Sequence, residues 1–137
     1  MEKYKKILVA FDGSSASKNA LYEVMDIIKA KGNMMVTVLI VTDTRQVMEI
    51  PQILKVLEEE YLELKEQVEL ILEQTISYKI VHVTGSPRNI IVSLAEKEDM
   101  DLIIIGATGI HGIEKVLVGS TASYVVNHAP CNILMVK

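Results

Sequence analysis

Tryptophan is absent from the 137-residue chain, so the protein absorbs weakly in the near ultraviolet and any co-purified chromophore would dominate its spectrum. Cysteine occurs once, as Cys131, which excludes an internal disulfide and any multi-cysteine zinc site and suits a reducing compartment. Packing is the plainest role for that thiol. Basic residues are outnumbered, 14 Lys and Arg against 18 Asp and Glu, for a net charge of −4. The only basic cluster is Lys3 with Lys5 and Lys6, which argues against a nucleic-acid groove, since phosphate backbones are held by clustered cations. No apolar run approaches the ~20 residues that cross a bilayer, and the opening MEKYKKILVA has no secretory core followed by a cleavage site. A cytoplasmic location without membrane contact is expected. What is present is an apolar half of the composition, in a length that fits one domain, residues 1–137.

That apolar content is arranged in short runs. Lys6 to Phe11, KILVAF, reads as a strand buried on both faces and ended by Asp12-Gly13. Ser14 and Ser15 are capping residues, after which Ala20, Leu21, Val24, Ile27 and Ile28 recur at helical spacing until Gly32. Met35 to Val41 is a second strand. A long helix is predicted from near Pro51 to about Gln74, with Ile53, Leu57, Leu64, Val68 and Ile71 as its apolar stripe and six glutamates elsewhere as a solvated face. Tyr78 to Val83 is the third strand; Ser86 can then cap a helix with Pro87 at its first position and Ile90, Ile91, Leu94 and Ala95 on its buried side. Asp101 to Ile105 is the fourth strand. Ser120 or Thr121 opens a short helix that stops at His128-Ala129-Pro130, and Asn132 to Val136 is the fifth strand. Strands alternating with helices in this way predict an α/β domain, a five-stranded parallel sheet covered on both faces, with ligands bound beyond the carboxyl ends of the strands.

Two such ends look prepared for a ligand, Asp12-Gly13 and the stretch after the fourth strand, where glycines stand at 106, 109, 112 and 119. Glycine admits positive φ and close approach, so successive amides can converge on an anion, and the first turn of the following helix favours negative charge at the same spot. The alternative is a loop whose glycines only ease a tight turn. The stretch is neither a Walker A loop, since no Lys follows Gly119-Ser120, nor the dinucleotide fingerprint, which opens a helix directly after the first strand.

The spacing that matches is G-x2-G-x9-G-[ST], from Gly106 and Gly109 to Gly119 and Ser120. With KILVAFDGS, LIVTD, GSP, DLIIIGATG and PCNILMVK beside it, nearly the whole chain resembles the universal stress protein family. The resemblance implies a Rossmann-like sheet of strand order 3-2-1-4-5 and, for the family's ATP-binding branch, a nucleotide site. Asp12 would lie near the ribose and the Mg²⁺ carried on ATP, Val41 would hold the adenine edge, and Gly106, Gly109, Gly119, Ser120 and Thr121 would wrap the phosphates, with Thr108 and Ala122 as weaker carry-overs. Gly112 falls outside the pattern. The sequence departs from the family at Thr108 and Ile110, where the loop often carries a His or Arg and then a basic residue. His111 and Lys115 remain as nearby cations. A charge-assisted phosphate contact contributes ~1.5–3 kcal/mol, and ~1.4 kcal/mol is tenfold in affinity.

Asp12 itself has two readings, a ribose or Mg²⁺ partner and the polar start of an Asp-Gly turn. A phosphoacceptor role is disfavoured, because one acid ends the first strand where a Mg²⁺-binding cluster would be needed. His82 reads as a hydrogen-bonded sheet histidine and His128 as a helix C-terminal cap. His111 can touch phosphate or sit in solvent, and Asp43 and Arg45 line the rim or are ordinary loop charges. No nucleophile stands beside a base, so the sequence points to binding with at most slow ATP hydrolysis, as in a sensor or switch in stress response. An interaction domain of the same fold without nucleotide is the alternative. The last strand, Asn132 to Val136, has no following helix, and the resemblance implies a homodimer through that edge, with further protein partners unspecified.

Overall fold

The computed structural model describes residues 4–43, 51–72, 76–110 and 118–137. Its elements are β1 (Lys6–Ala10), α1 (Ser15–Lys31), β2 (Met35–Thr42), α2 (Pro51–Leu72), β3 (Tyr78–Thr84), α3 (Pro87–Lys97), β4 (Leu102–Gly106), α4 (Ser120–His128) and β5 (Asn132–Val136). The strands form one parallel sheet in the order β3-β2-β1-β4-β5. This is the expected architecture, with element ends displaced by a residue or two. The expected end of α2 near Gln74 lies outside the described residues.

β1 sits at the centre because Ile7, Leu8 and Val9 are apolar in succession and each can be covered on either face; all three are fully buried. Ile7 and Val9 join the layer under α1 and α2, with Ala20, Leu21, Val24, Val68 and Leu72. Leu8 joins the opposite layer under α3 and α4, with Ile91, Ala95, Ala122 and Val125. The expected stripe of α2 is present, but only its second half, around Tyr61, Leu64, Val68 and Ile71, packs on that core.

Helix ends follow local chemistry. Ser14 caps α1 by accepting from the amide of Ser17 at 3.2 Å, and Gly32 closes it at φ 86. Pro87 opens α3 as expected, yet Ser86, although at the cap position, makes no capping bond, and its hydroxyl is buried without a partner among the described residues. The cap of α4 is Gly119, so Ser120 and Thr121 are its first helical residues.

The chain crosses from β1 to β2 on one side and, after β3, returns to lay β4 on the other side of β1. β1 and β4 are therefore the strands between which the order reverses. Their amino ends are joined by Asp101, whose Oδ2 accepts from the amides of Lys5 and Lys6 at 2.9 Å each, while the Asp101 amide donates to the Lys6 carbonyl at 2.8 Å. The Lys6 ammonium donates to the carbonyl of Glu98. Those backbone donors, chiefly Lys5 and then Lys6, hold the Asp101 carboxyl below the usual carboxylate value.

The unfolded chain thus takes up the Asp101 proton at a higher pH than the folded one. The contribution is complete above the unfolded value and is lost as pH falls through the folded value. We expect Asp101→Ala to lower stability by about 1 kcal/mol at neutral pH, a charge-assisted contribution reduced by solvent exposure. Urea melts of the two proteins at neutral and strongly acidic pH measure this, and the difference between them shrinks in acid.

Candidate functional site

The crevice lies at the carboxyl ends of β1 and β4, with the β1–α1 turn on one side and the loop from Gly106 to α4 on the other. Asp12 is exposed there, and its two carboxylate oxygens do different things. Oδ1 accepts from the Ser14 amide at 2.9 Å and shapes the turn. Oδ2 faces the opposite loop: a β-carbon added to Gly109 would lie 3.0 Å from it. The turn reading and the ligand reading of Asp12 thus apply to one oxygen each.

Gly13 is fixed as glycine by its backbone, and the Leu64 side chain lies close against it. Its φ is 85, and a β-carbon would come within 2.7 Å of Leu64 Cδ2, because α2 lies directly over the turn. Ser14 is nearly buried and, besides capping α1, its hydroxyl reaches the Thr108 carbonyl at 3.4 Å, a weak link across the crevice. Ser17 Oγ donates to the Ser14 carbonyl at 3.0 Å. Ser14 was expected only as a cap and Ser17 was not anticipated. The sequence signal was the run of small residues Ser14 to Ser17, which lets a helix start close to a strand.

Gly106, Gly109 and Gly119 are not in the left-handed region, where only Gly13, Gly32 and Gly85 have positive φ among the described glycines. Their common property is close approach. A β-carbon at Gly106 would stand 2.8 Å from Ala16 Cβ and 2.9 Å from the backbone at both Ala16 and Ser17. Gly106 therefore admits the first turn of α1, a packing reason for glycine at this position. Gly109 leaves the space in front of Asp12 open. Gly119 brings α4 to the loop through its amide, which donates to the Ala107 carbonyl at 2.6 Å.

Ser120 is exposed and Thr121 half-exposed in the first turn of α4, with helical amides that have no partner within the helix. Ala122 is buried in the α3–α4 layer, so its side chain belongs to the core and only its backbone faces the crevice end. Thr108 contributes its carbonyl to the Ser14 contact. Val41 lies at the end of β2, beyond the last β1–β2 partners Ala10 and Leu39 and the Phe11 amide bond to the Leu39 carbonyl at 2.9 Å. Its backbone edge on the β1 side is thus past the ladder. Gly112, Arg45, His111 and Lys115 lie outside the described residues.

His82 stacks on Tyr61, ring centroids 3.8 Å apart and planes within 5°, and its Nε2 meets Thr42 Oγ1 at 2.7 Å. Burial lowers its pKa, and the sheet-histidine reading accounts for it. His128 donates from Nδ1 to the Tyr124 carbonyl at 2.8 Å, the helix-end role expected of it. Asp43 is exposed just after β2. No cluster of three His, Cys, Asp or Glu suited to a metal occurs among the described residues, so a metal here would be held by Asp12 together with oxygens of a ligand. The arrangement offers amides, hydroxyls and one carboxylate oxygen. It can hold an anion beside a hydroxyl-bearing group.

A model of the universal stress protein family matches residues 3–137. Universal stress protein MJ0531 of Methanocaldococcus jannaschii is 34% identical over 98% of this chain and 82% of its own length. Among solved structures, that of the hypothetical protein MJ0577 is 34% identical with a TM-score of 0.87, covering 98% of this chain and 96% of the other. UspA from Lactobacillus plantarum is 32% identical with a TM-score of 0.79 over the full length of both chains. Three more distant proteins of this fold, 20%, 21% and 18% identical, were solved with cAMP, dAMP and AMP respectively.

The packing reason for Gly106 has a direct test. Gly106→Ala pushes α1 away from β4 and is expected to lower stability by about 1–3 kcal/mol, as overpacking does. At Gly119 an added β-carbon lies 3.4 Å from its nearest neighbour, so Gly119→Ala costs less. Urea titration of both variants checks the order.

Proposed function

Because the chain belongs to the universal stress protein family, we propose that it binds ATP, with Mg²⁺ carried on the phosphates, in the crevice between β1 and β4, and that it acts as a nucleotide-dependent sensor or switch in stress response. The observation that carries this reading is the placement of Asp12 Oδ2 opposite Gly109, with Gly119, Ser120 and Thr121 brought to the same loop by the Gly119–Ala107 bond. The nucleotides held by three distant proteins of the same fold support it.

In this reading Asp12 Oδ2 accepts from a ribose hydroxyl or meets Mg²⁺, while Oδ1 keeps the turn in place. The backbone of Val41, past the β1–β2 ladder, meets the adenine edge. Thr108 and Gly109 pass close to the sugar and phosphates, and the amides and hydroxyls at Ser120 and Thr121, with the Ala122 amide, take phosphate oxygens at the positive end of α4. Mg²⁺ would screen phosphate charge and draw one protein oxygen from Asp12. Neutral donors stabilise bound substrate and transition state to similar extents, so hydrolysis is slow at most.

β5 is an edge strand, and Met135 on it and Val126 on the neighbouring α4 are 40% and 46% exposed. A second copy pairing along Asn132–Val136 would cover both and continue the sheet, giving a homodimer. No helix of the described residues is long and apolar enough to cross a membrane. A cytoplasmic setting agrees with the single reduced thiol, Cys131.

Purified protein is expected to bind ATP by calorimetry, and nucleotide released by denaturing it is identifiable by chromatography. Asp12→Ala should weaken ATP by about tenfold, the order of one charge-assisted contact. Gly109→Val, which drives a side chain into Asp12 Oδ2, should abolish binding with the circular dichroism spectrum unchanged. Absence of ATP binding by the unmodified protein would sink the nucleotide reading and leave the interaction-domain alternative. Separately, Met135→Asp should convert a dimer into a monomer by light scattering.

A further inference from the structure

Ser120, Tyr124 and His128 follow each other at four-residue intervals along α4, so they share one helix face, with about one turn between successive side chains. Tyr124 is enclosed on that face. Its ring stacks on His128, centroids 4.0 Å apart and planes 16° apart, and the guanidinium of Arg88 lies 4.9 Å from its centroid. Arg88 is the second residue of α3 and exposed. Both helices run antiparallel to the strands they follow, so the first turns of α3 and α4 lie together at the carboxyl end of the sheet. The Tyr124 contact therefore sets the Arg88 guanidinium beside the face of α4 that Ser120 opens.

Among the described residues no carboxylate pairs with Arg88, and stacking on a ring face contributes only ~0.5–1 kcal/mol at an exposed site. A ring contact uses none of the guanidinium's N–H donors in a hydrogen bond, so an arginine resting on an aromatic ring can still fork onto a phosphate. Among the described residues of the loop there is no such group. Thr108 and Ile110 are uncharged, and Ile110 is 61% exposed, so the described clamp at Gly109, Gly119, Ser120 and Thr121 is neutral.

We infer that Arg88, held on Tyr124, is the cation that reads the phosphate chain of the nucleotide, and so makes the site prefer ATP over adenosine. The inference rests on the nucleotide reading above and adds to it the residue that sets phosphate preference. Arg88 comes from α3, outside the glycine motif, and it takes the place of the basic residues that the motif lacks here. Tyr124 is a positioning residue: it aims the guanidinium without touching the ligand.

The test is calorimetry of ATP and adenosine with the full chain, at low and high salt, for the unmodified protein, Arg88→Ala, Arg88→Lys and Tyr124→Leu, each checked for folding by circular dichroism. Arg88→Ala is expected to weaken ATP at least tenfold, to leave adenosine within about twofold, and to flatten the salt dependence of ATP binding. Arg88→Lys should recover part of the ATP preference, and Tyr124→Leu should lose part of it. If the unmodified protein binds ATP and Arg88→Ala leaves the ratio of ATP to adenosine affinity unchanged, the role of Arg88 is overturned and the nucleotide site stands. Equal loss of both ligands also overturns it, as a structural effect. If the unmodified protein binds neither, the nucleotide reading falls and this inference with it.

Discussion

The closeness of α1 to the end of β4 is the constraint on which the crevice depends. Ala16 and Ser17 approach Gly106 so nearly that a β-carbon there would sit at 2.8–2.9 Å from a side chain and two backbone atoms. Side chains of ordinary size at either place would lift the helix. With α1 seated, Ser14 reaches Thr108, the Asp12 turn is drawn toward the loop, and Asp12 Oδ2 comes to face Gly109. Small residues on two segments ninety positions apart therefore set the width of the crevice, and close packing makes that width a fixed quantity.

A second layer of contacts fixes the walls. The Leu64 side chain of α2 lies against Gly13, so the long helix covers the β1–α1 turn. Opposite, the Gly119 amide ties the start of α4 to the Ala107 carbonyl, and Arg88, Tyr124 and His128 join α3 to α4 by ring contacts. The chemistry so enclosed is mild. Amides, hydroxyls and a lone carboxylate oxygen suit retention of a charged ligand.

Much of the fold was legible because the cues were local and mutually consistent. The succession KILVA declares a central strand through its lack of a polar face, Asp12-Gly13 declares a turn, and Pro87, Gly32 and Pro130 mark helix limits. The strand order followed from resemblance to a family whose sheet is known. Less of the site was legible. Ser86 had the sequence of a capping residue and the position of one, yet its hydroxyl does not cap, since side-chain direction at a cap is settled by what packs around it. Ala122 lay next to the Ser-Thr pair in sequence but turns into the core, as helical periodicity requires of every third or fourth residue. Arg88 carried no motif at all.

Taken alone, the sequence determined the kinds and order of the elements, the burial of β1 on both faces, and the two strand ends, at Asp12 and at the glycine-rich loop, that could take a ligand. These depend on residue type and near-neighbour spacing, which a linear chain displays. Only the tertiary structure decided that Gly106 serves α1, that the two oxygens of Asp12 have separate tasks, and that Arg88 of α3 lies over Tyr124 of α4. Those are distances of a few ångströms between segments far apart along the chain, and they exist only once the sheet has brought the carboxyl ends of its strands together.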